Sequence, residues 1–273
     1  MRSYHNFVRR GIIFLLAAFA IASWVATLVV LRLAKRYYTE ANATRLDPLG
    51  LQQLDIPANP GQPTLVFFGD SRAAQWPEPS GFAGKTLNLG VGNQTTEQVL
   101  LRFNYHLGQI RPRIVVIQVG INDLKAIPLF PQSEGRIVET CKQNIGKIVS
   151  LCRERGAHVV VTTIFPVGKL PIERRMVWSD RVAPAIDEVN RHILSLASAD
   201  VSVFDSTSVL TGKDGHLISA YSRDFLHLTE TGYGRLNEKL REQMDSVLKP
   251  ATTTTQAEQR ADGKTPEAPQ PPH

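Results

Sequence analysis

Asp224 and His227 stand three residues apart in "SRDFLHLTETGYG". In a turn or helical segment that spacing brings both side chains to the same side. A carboxylate beside an imidazole fixes its tautomer and stabilises the imidazolium, which is what a general base needs. A base needs a nucleophile to act on, and "TLVFFGDSR" supplies a hydroxyl at Ser71, directly after an apolar run. Asn122 in "QVGIND" carries a neutral amide donor suited to a developing oxyanion. Gly90 in "LNLGVGNQTT" has no side chain, so its N–H can closely approach a reacting atom. Each piece alone has an ordinary structural explanation. Asp70 and Ser71 suit a turn followed by a helix cap, and Asn122 and Asp123 suit a turn. The other histidines, His5, His106, His158, His192, His216 and His273, are read as structural or surface groups. His227 differs because an acid precedes it at this spacing and a capped helix follows.

Two other chemistries fit less well. "GVGNQT" has the outline of a dinucleotide-binding loop, but Thr95 stands at the third glycine and the loop follows the second strand rather than the first. No Cys-x-x-Cys or Cys/His cluster suggests a metal, so neither a metal nor a cofactor is expected. Cys141 and Cys152 share a helical face about 16 Å apart along the axis, beyond disulfide reach, and are expected as core thiols.

The elements that must position these groups alternate along the chain. Strands are predicted at Leu65–Phe68, Thr86–Val91, Ile114–Val119, His158–Ile164 and Val201–Asp205. Helical spacing links Val99, Phe103, Leu107 and Ile110, then Ile137, Cys141, Ile145, Ile148 and Cys152. It recurs at Val182, Ile186, Val189, Ile193 and Leu196, and at Leu236, Leu240, Met244 and Val247. Strands apolar throughout, separated by amphipathic helices, predict a parallel sheet covered on both faces. Function in such sheets sits at the carboxyl ends of the strands, where all the candidate groups fall.

Taken together, the sequence resembles the SGNH or GDSL hydrolase family. The matching residues are "GDS" at Gly69–Ser71, Gly90 in "NLGVGN", "GIND" at Gly120–Asp123 and "DFLH" at Asp224–His227, in the family's order between about Thr64 and Leu248. "NLGVGNQTT" and "DFLHLTETGY" look most like the lysophospholipase and platelet-activating-factor acetylhydrolase-like esterases. The resemblance implies a flavodoxin-like three-layer α/β/α fold with a five-stranded parallel sheet. It implies Ser71 as nucleophile, His227 as general base and Asp224 as its orienting partner. The implied oxyanion hole combines the Ser71 and Gly90 N–H groups with the Asn122 side chain, while Asp70 supports the turn. Arg72 departs from the family's leucine and Asn93 from the subgroup's frequent glycine, which leaves substrate preference open.

Outside the domain, "GIIFLLAAFAIASWVATLVVL" runs uncharged from Gly11 through Leu31, long enough for a transmembrane helix. Ala18–Phe19–Ala20 has the look of a signal-peptide cleavage site, but cutting there leaves an apolar new terminus, so an uncleaved anchor is expected. Three basic residues flank the run on each side, so charge alone leaves its orientation open. A short N-terminal tail kept in the cytoplasm places the domain outside, periplasmic or extracellular. The net charge of +6 sits mostly before residue 41, which argues against a nucleic-acid footprint on the domain. The expected organisation is an anchor over 1–36, a stalk over 37–63, the hydrolase domain over 64–250 and a disordered tail over 251–273. Lys169, Arg174 and Arg175, with Trp76 and Trp178, are candidate substrate contacts in or near the strand-end loops. The expected activity is hydrolysis of a lipid ester or an O-acylated glycan. The alternatives are acyl transfer to an envelope glycan at the same site and a catalytically silent envelope protein.

Overall fold

The computed structural model describes residues 2–54, 62–82, 84–108, 110–175 and 177–248. Part of the expected stalk and the expected C-terminal tail lie outside these residues. The elements in chain order are α1 (Arg2–Leu46), β1 (Leu65–Gly69), α2 (Ser71–Ala74), β2 (Thr86–Gly90), α3 (Thr96–Leu101) and α4 (Phe103–Leu107). There follow β3 (Ile114–Gln118), α5 (Ile121–Leu124), α6 (Glu134–Glu154), β4 (His158–Thr162), α7 (Val182–Ser195), β5 (Val201–Phe204), α8 (Thr207–Leu210) and α9 (Glu230–Leu248).

The five strands form one parallel sheet in the order β2-β1-β3-β4-β5. Side chains alternate across a strand, so each strand feeds two cores. Val66 and Phe68 of β1, with Val115, Ile117, Val159 and Val161, pack toward Val99, Phe103, Ile145, Ile148, Val189 and Ile193 of α3, α4, α6 and α7. Leu65 and Phe67, with Ile114, Val116 and Val160, pack toward Leu210, Leu236, Leu240 and Met244 of α8 and α9. Both faces are covered, as the apolar runs of β1, β3 and β4 require. Cys141 and Cys152 are buried free thiols within the first core.

Two local differences from the sequence expectation have simple causes. The helix expected around Val99–Ile110 divides at Arg102, whose buried guanidinium donates to Gly69 O at 2.8 Å. Arg102 is the C-cap of α3 and the N-cap of α4, its backbone at φ −86° and ψ 1° off the helical values. α1 continues past the apolar run through Tyr37–Leu46, the first part of the expected stalk. Glu40, Ala41, Ala43, Arg45 and Leu46 favour the helix there, and Asp47-Pro48 stops it.

The strand order reverses direction between β1 and β3, and parallel α/β sheets open a crevice at that point. Ser71 follows β1 and Asn122 follows β3, so two of the candidate groups flank it.

Candidate active site

Ser71 opens the single-turn helix α2. Asp70 caps it, its Oδ1 accepting the Arg72 N–H at 2.8 Å. The strand-to-helix bend is tight: a Cβ on Gly69 would lie 1.8 Å from Gln118 O, so only glycine fits before Asp70. One turn has little axial dipole, so anion stabilisation here comes from individual N–H groups. The turn is pinned from two sides. Asn88 Nδ2 donates to Ala73 O at 2.9 Å and Trp76 O at 3.1 Å, and the Tyr233 hydroxyl donates to Arg72 O at 2.8 Å.

Asp70 is fully buried, and desolvation raises its carboxyl to about 6 despite the opposing charge and N–H of Arg72. A carboxyl whose folded value lies above its ordinary one loses stability for the fold as it ionises, here between about pH 4 and 6. Asp70→Asn keeps the Oδ1 acceptor and removes that penalty. Its melting temperature relative to wild type is therefore expected to be higher at pH 7.5 than at pH 4.5. The opposite ordering would mean that the carboxylate is favourably paired.

His227, the expected base, sits in the segment between α8 and α9. Ser71 Oγ lies 3.0 Å from His227 Nε2, and His227 Nδ1 lies 2.8 Å from Asp224 Oδ2 and 3.0 Å from Oδ1. An ionised carboxylate only accepts, so it fixes the proton on Nδ1 and leaves Nε2 to accept from the serine. The three-residue spacing works through a turn rather than a helix: Asp224 Oδ1 also accepts the Leu226 N–H at 2.8 Å and the His227 N–H at 2.9 Å. Partial burial pushes the Asp224 carboxyl up, but those two N–H bonds and the imidazole outweigh it and hold the carboxyl below its ordinary value. Arg72, which departs from the family's leucine, is buried beneath this loop. Its Nε donates to Leu226 O at 2.9 Å and its Nη1 to Phe165 O at 3.2 Å. It ties the nucleophile turn to the base loop.

Asn122 is buried in α5, where Nδ2 donates to Gln94 O at 2.9 Å and the amide faces the same cavity as Ser71. Asp123 locks α5 to α3, accepting the Thr96 N–H at 2.9 Å and its hydroxyl at 2.7 Å. Gly90, expected to turn its N–H to the oxyanion, is not among the residues that line that cavity. Its N–H donates to Asn88 Oδ1 at 2.9 Å, and a Cβ there would lie 2.1 Å from Ala74 N. The glycine does serve a close approach, but it is the approach of α2 to β2. Asn93 lines the cavity in its place, with φ 62°, and its N–H has no hydrogen-bond partner among the described residues. Its signal in the sequence was the departure from glycine at a position that needs positive φ, which asparagine tolerates.

These groups share a cavity of about 760 Å³, within the usual range for a small-ligand site. Lys125, Ala126 and Leu129 from the loop after β3, and Arg174, Val177 and Trp178 from the loop after β4, form its walls. Trp178 meets Phe225 edge-on with ring centroids 5.4 Å apart. Lys169 pairs with Asp214 at 3.0 Å, and neither it nor Arg175 lines the cavity. Trp76 is core, stacked on Phe67 at 5.3 Å, with Nε1 donating to Asn237. Among the structural histidines, His106 is buried, and burial together with Arg102 lowers its pKa to about 4.

A hydroxyl, an imidazole and a carboxylate in hydrogen-bonded series beside amide donors suit attack on a carbonyl. Residues 56–235 match the GDSL-like lipase/acylhydrolase family. The chain belongs to that family. It is a serine hydrolase acting on esters. Among curated relatives, platelet-activating factor acetylhydrolase IB subunit alpha1 from Bos taurus is 30% identical over 187 residues, covering 63% of this chain and 71% of that one. The human alpha2 subunit is 28% identical over 198 residues, covering 68% and 78%. A GDSL-like lipase from Bacteroides thetaiotaomicron superposes with a TM-score of 0.56 at 21% identity, covering 78% of this chain and 98% of that one, a likeness of fold.

Proposed function

We propose that this GDSL hydrolase is a membrane-anchored esterase that works through a Ser71-His227-Asp224 acyl-enzyme. Ser71 Oγ attacks the ester carbonyl as its proton passes to His227 Nε2, and Asp224 stabilises the imidazolium. The imidazolium then protonates the leaving alkoxide, and a water activated by the same imidazole releases the acid. The Ser71 and Asn93 N–H groups and Asn122 Nδ2 hold the oxyanion. The observation that carries this reading is the unbroken series from Ser71 Oγ through the imidazole to Asp224, at 3.0 and 2.8 Å, in the wall of one cavity.

Asn122 tests the oxyanion part. Asn122→Ala removes a donor used mainly in the transition state, so kcat on an aryl acetate should fall by about 10²–10³ with KM little changed. A variant with undiminished kcat would return Asn122 to a turn-forming role.

The anchor reading is supported by the length and exposure of α1. Gly11–Leu31 spans about 30 Å as a helix, the thickness of a bilayer core. Its large apolar side chains, among them Phe14, Phe19 and Trp24, are uncovered. The full-length protein should stay in membranes through a carbonate wash, and protease added outside intact cells or spheroplasts should reach the domain. Release by carbonate would argue for a cleaved signal sequence, and protection from protease would reverse the orientation.

A further inference from the structure

The catalytic cavity is not walled by the α/β domain alone. Arg36, Tyr37 and Glu40 of α1 line the same space as Ser71 and His227. Arg36 bonds to Glu40 at 2.8 Å, and Arg174 from the opposite wall reaches the Tyr37 hydroxyl at 3.5 Å. The exit of α1 is fastened to the oxyanion side. Gln98 Nε2 donates to Pro48 O at 2.7 Å, and Gln94 Nε2 donates to Leu49 O at 2.7 Å. Gln94 is the residue whose carbonyl holds the Asn122 amide. The fastening is at the exit of α1, while Arg36, Tyr37 and Glu40 of its last turns line the cavity and stay largely exposed.

The helix rise then sets the height of the cavity above the membrane. From Leu31, the end of the uncharged run, to Arg36 is about 7.5 Å, and to Glu40 about 13 Å. The headgroup layer outside the hydrocarbon core is about 5–7 Å deep. The near wall of the cavity therefore begins at the outer edge of the headgroups. The rim beside it is apolar and basic. Leu129 and Phe130 after β3 are 61% and 52% exposed, and Ile172 and Val177 after β4 are 78% and 45% exposed. Arg32 and Lys35 lie just below the wall on α1, Lys125 and Arg174 line it, and Arg175 follows. The acids among them are Glu40, paired with Arg36, Glu173, and Asp224, held by His227. Exposed apolar tips among cations suit the boundary between acyl chains and anionic headgroups.

We propose that this rim seats on the leaflet that α1 enters, with Phe130 and Ile172 dipping into it, so that the site takes an ester carried by a bilayer lipid. The proposal rests on the reading of α1 as an uncleaved anchor and of the cavity as the esterase site. A cavity of about 760 Å³ holds a headgroup and the start of one acyl chain, and the remainder of the lipid stays in the bilayer. The basic rim favours leaflets rich in anionic phospholipid.

The test uses the full-length protein in vesicles of phosphatidylglycerol and phosphatidylcholine, with two substrates. One is a soluble aryl acetate, and the other a chromogenic ester phospholipid in the same bilayer. Seven helix-forming residues inserted between Leu33 and Ala34 lift the domain by about 10 Å and rotate it by only about 20°. The aryl-ester rate should change less than twofold and the lipid-ester rate should fall at least tenfold. Phe130→Asp combined with Ile172→Asp, two exposed positions outside the cavity lining, should lower the lipid rate about threefold or more and spare the aryl ester. A lipid-ester rate indifferent to both changes would overturn the proposal. So would a wild type that cleaves the aryl ester and leaves the vesicle lipid intact. A wild type inactive on both substrates would instead overturn the esterase reading, and release from the vesicles by carbonate the anchor reading, each taking the proposal with it.

Discussion

Ser71→Ala should lower hydrolysis of an aryl acetate by on the order of 10⁶, to the level left by binding and the oxyanion donors alone. The loss should fall on kcat, because the methyl side chain removes the attacking atom and leaves the cavity walls in place. The fold should be unaffected. Ser71 is only half-buried, and the α2 turn is held by the Asp70 cap, Asn88 and the Tyr233 hydroxyl rather than by the serine hydroxyl. Circular dichroism and melting temperature should match wild type. Retained turnover in a folded variant would move the nucleophile elsewhere.

His227→Gln should cost about as much, since a group that acts as a unit with the nucleophile cannot be removed separately. Glutamine cannot accept the serine proton and return it to the leaving group. Asp224→Asn should be milder, with a loss of about 10⁴. The substituted amide can keep its oxygen on the Leu226 and His227 N–H groups, so the loop persists. Its NH₂ would then face Nδ1 and favour the tautomer with hydrogen on Nε2, pointing at Ser71. Equal losses for the two variants would mean that Asp224 holds the loop itself rather than the tautomer.

The sheet was legible because β1, β3 and β4 each carry consecutive apolar residues, which burial on both faces explains. The strand order came only with the resemblance to a flavodoxin-like fold, since nothing in the local pattern of β1 or β2 says which neighbour each will take. Asp224 and His227 could be paired from spacing because their contact is local. Their link to Ser71 spans most of the domain and came from motif order instead. Gly90 shows the limit of reading a glycine. The sequence signals a close approach without saying to what, and the approach is made by the backbone of Ala74. Asn93 was hidden for the converse reason: the role proposed for it rests on a backbone N–H, which every residue but proline possesses. The wall formed by Arg36, Tyr37 and Glu40 was unreadable, because it depends on how α1 lies against the domain.

That Ser71 forms the covalent bond can be read from intact-protein and peptide mass spectrometry after exposure to a fluorophosphonate. The wild-type chain should gain one adduct, located on the peptide that contains Ser71. Ser71→Ala should gain none, and His227→Gln should react far more slowly. An adduct on a different serine, with esterase activity lost in step with its formation, would contradict the account.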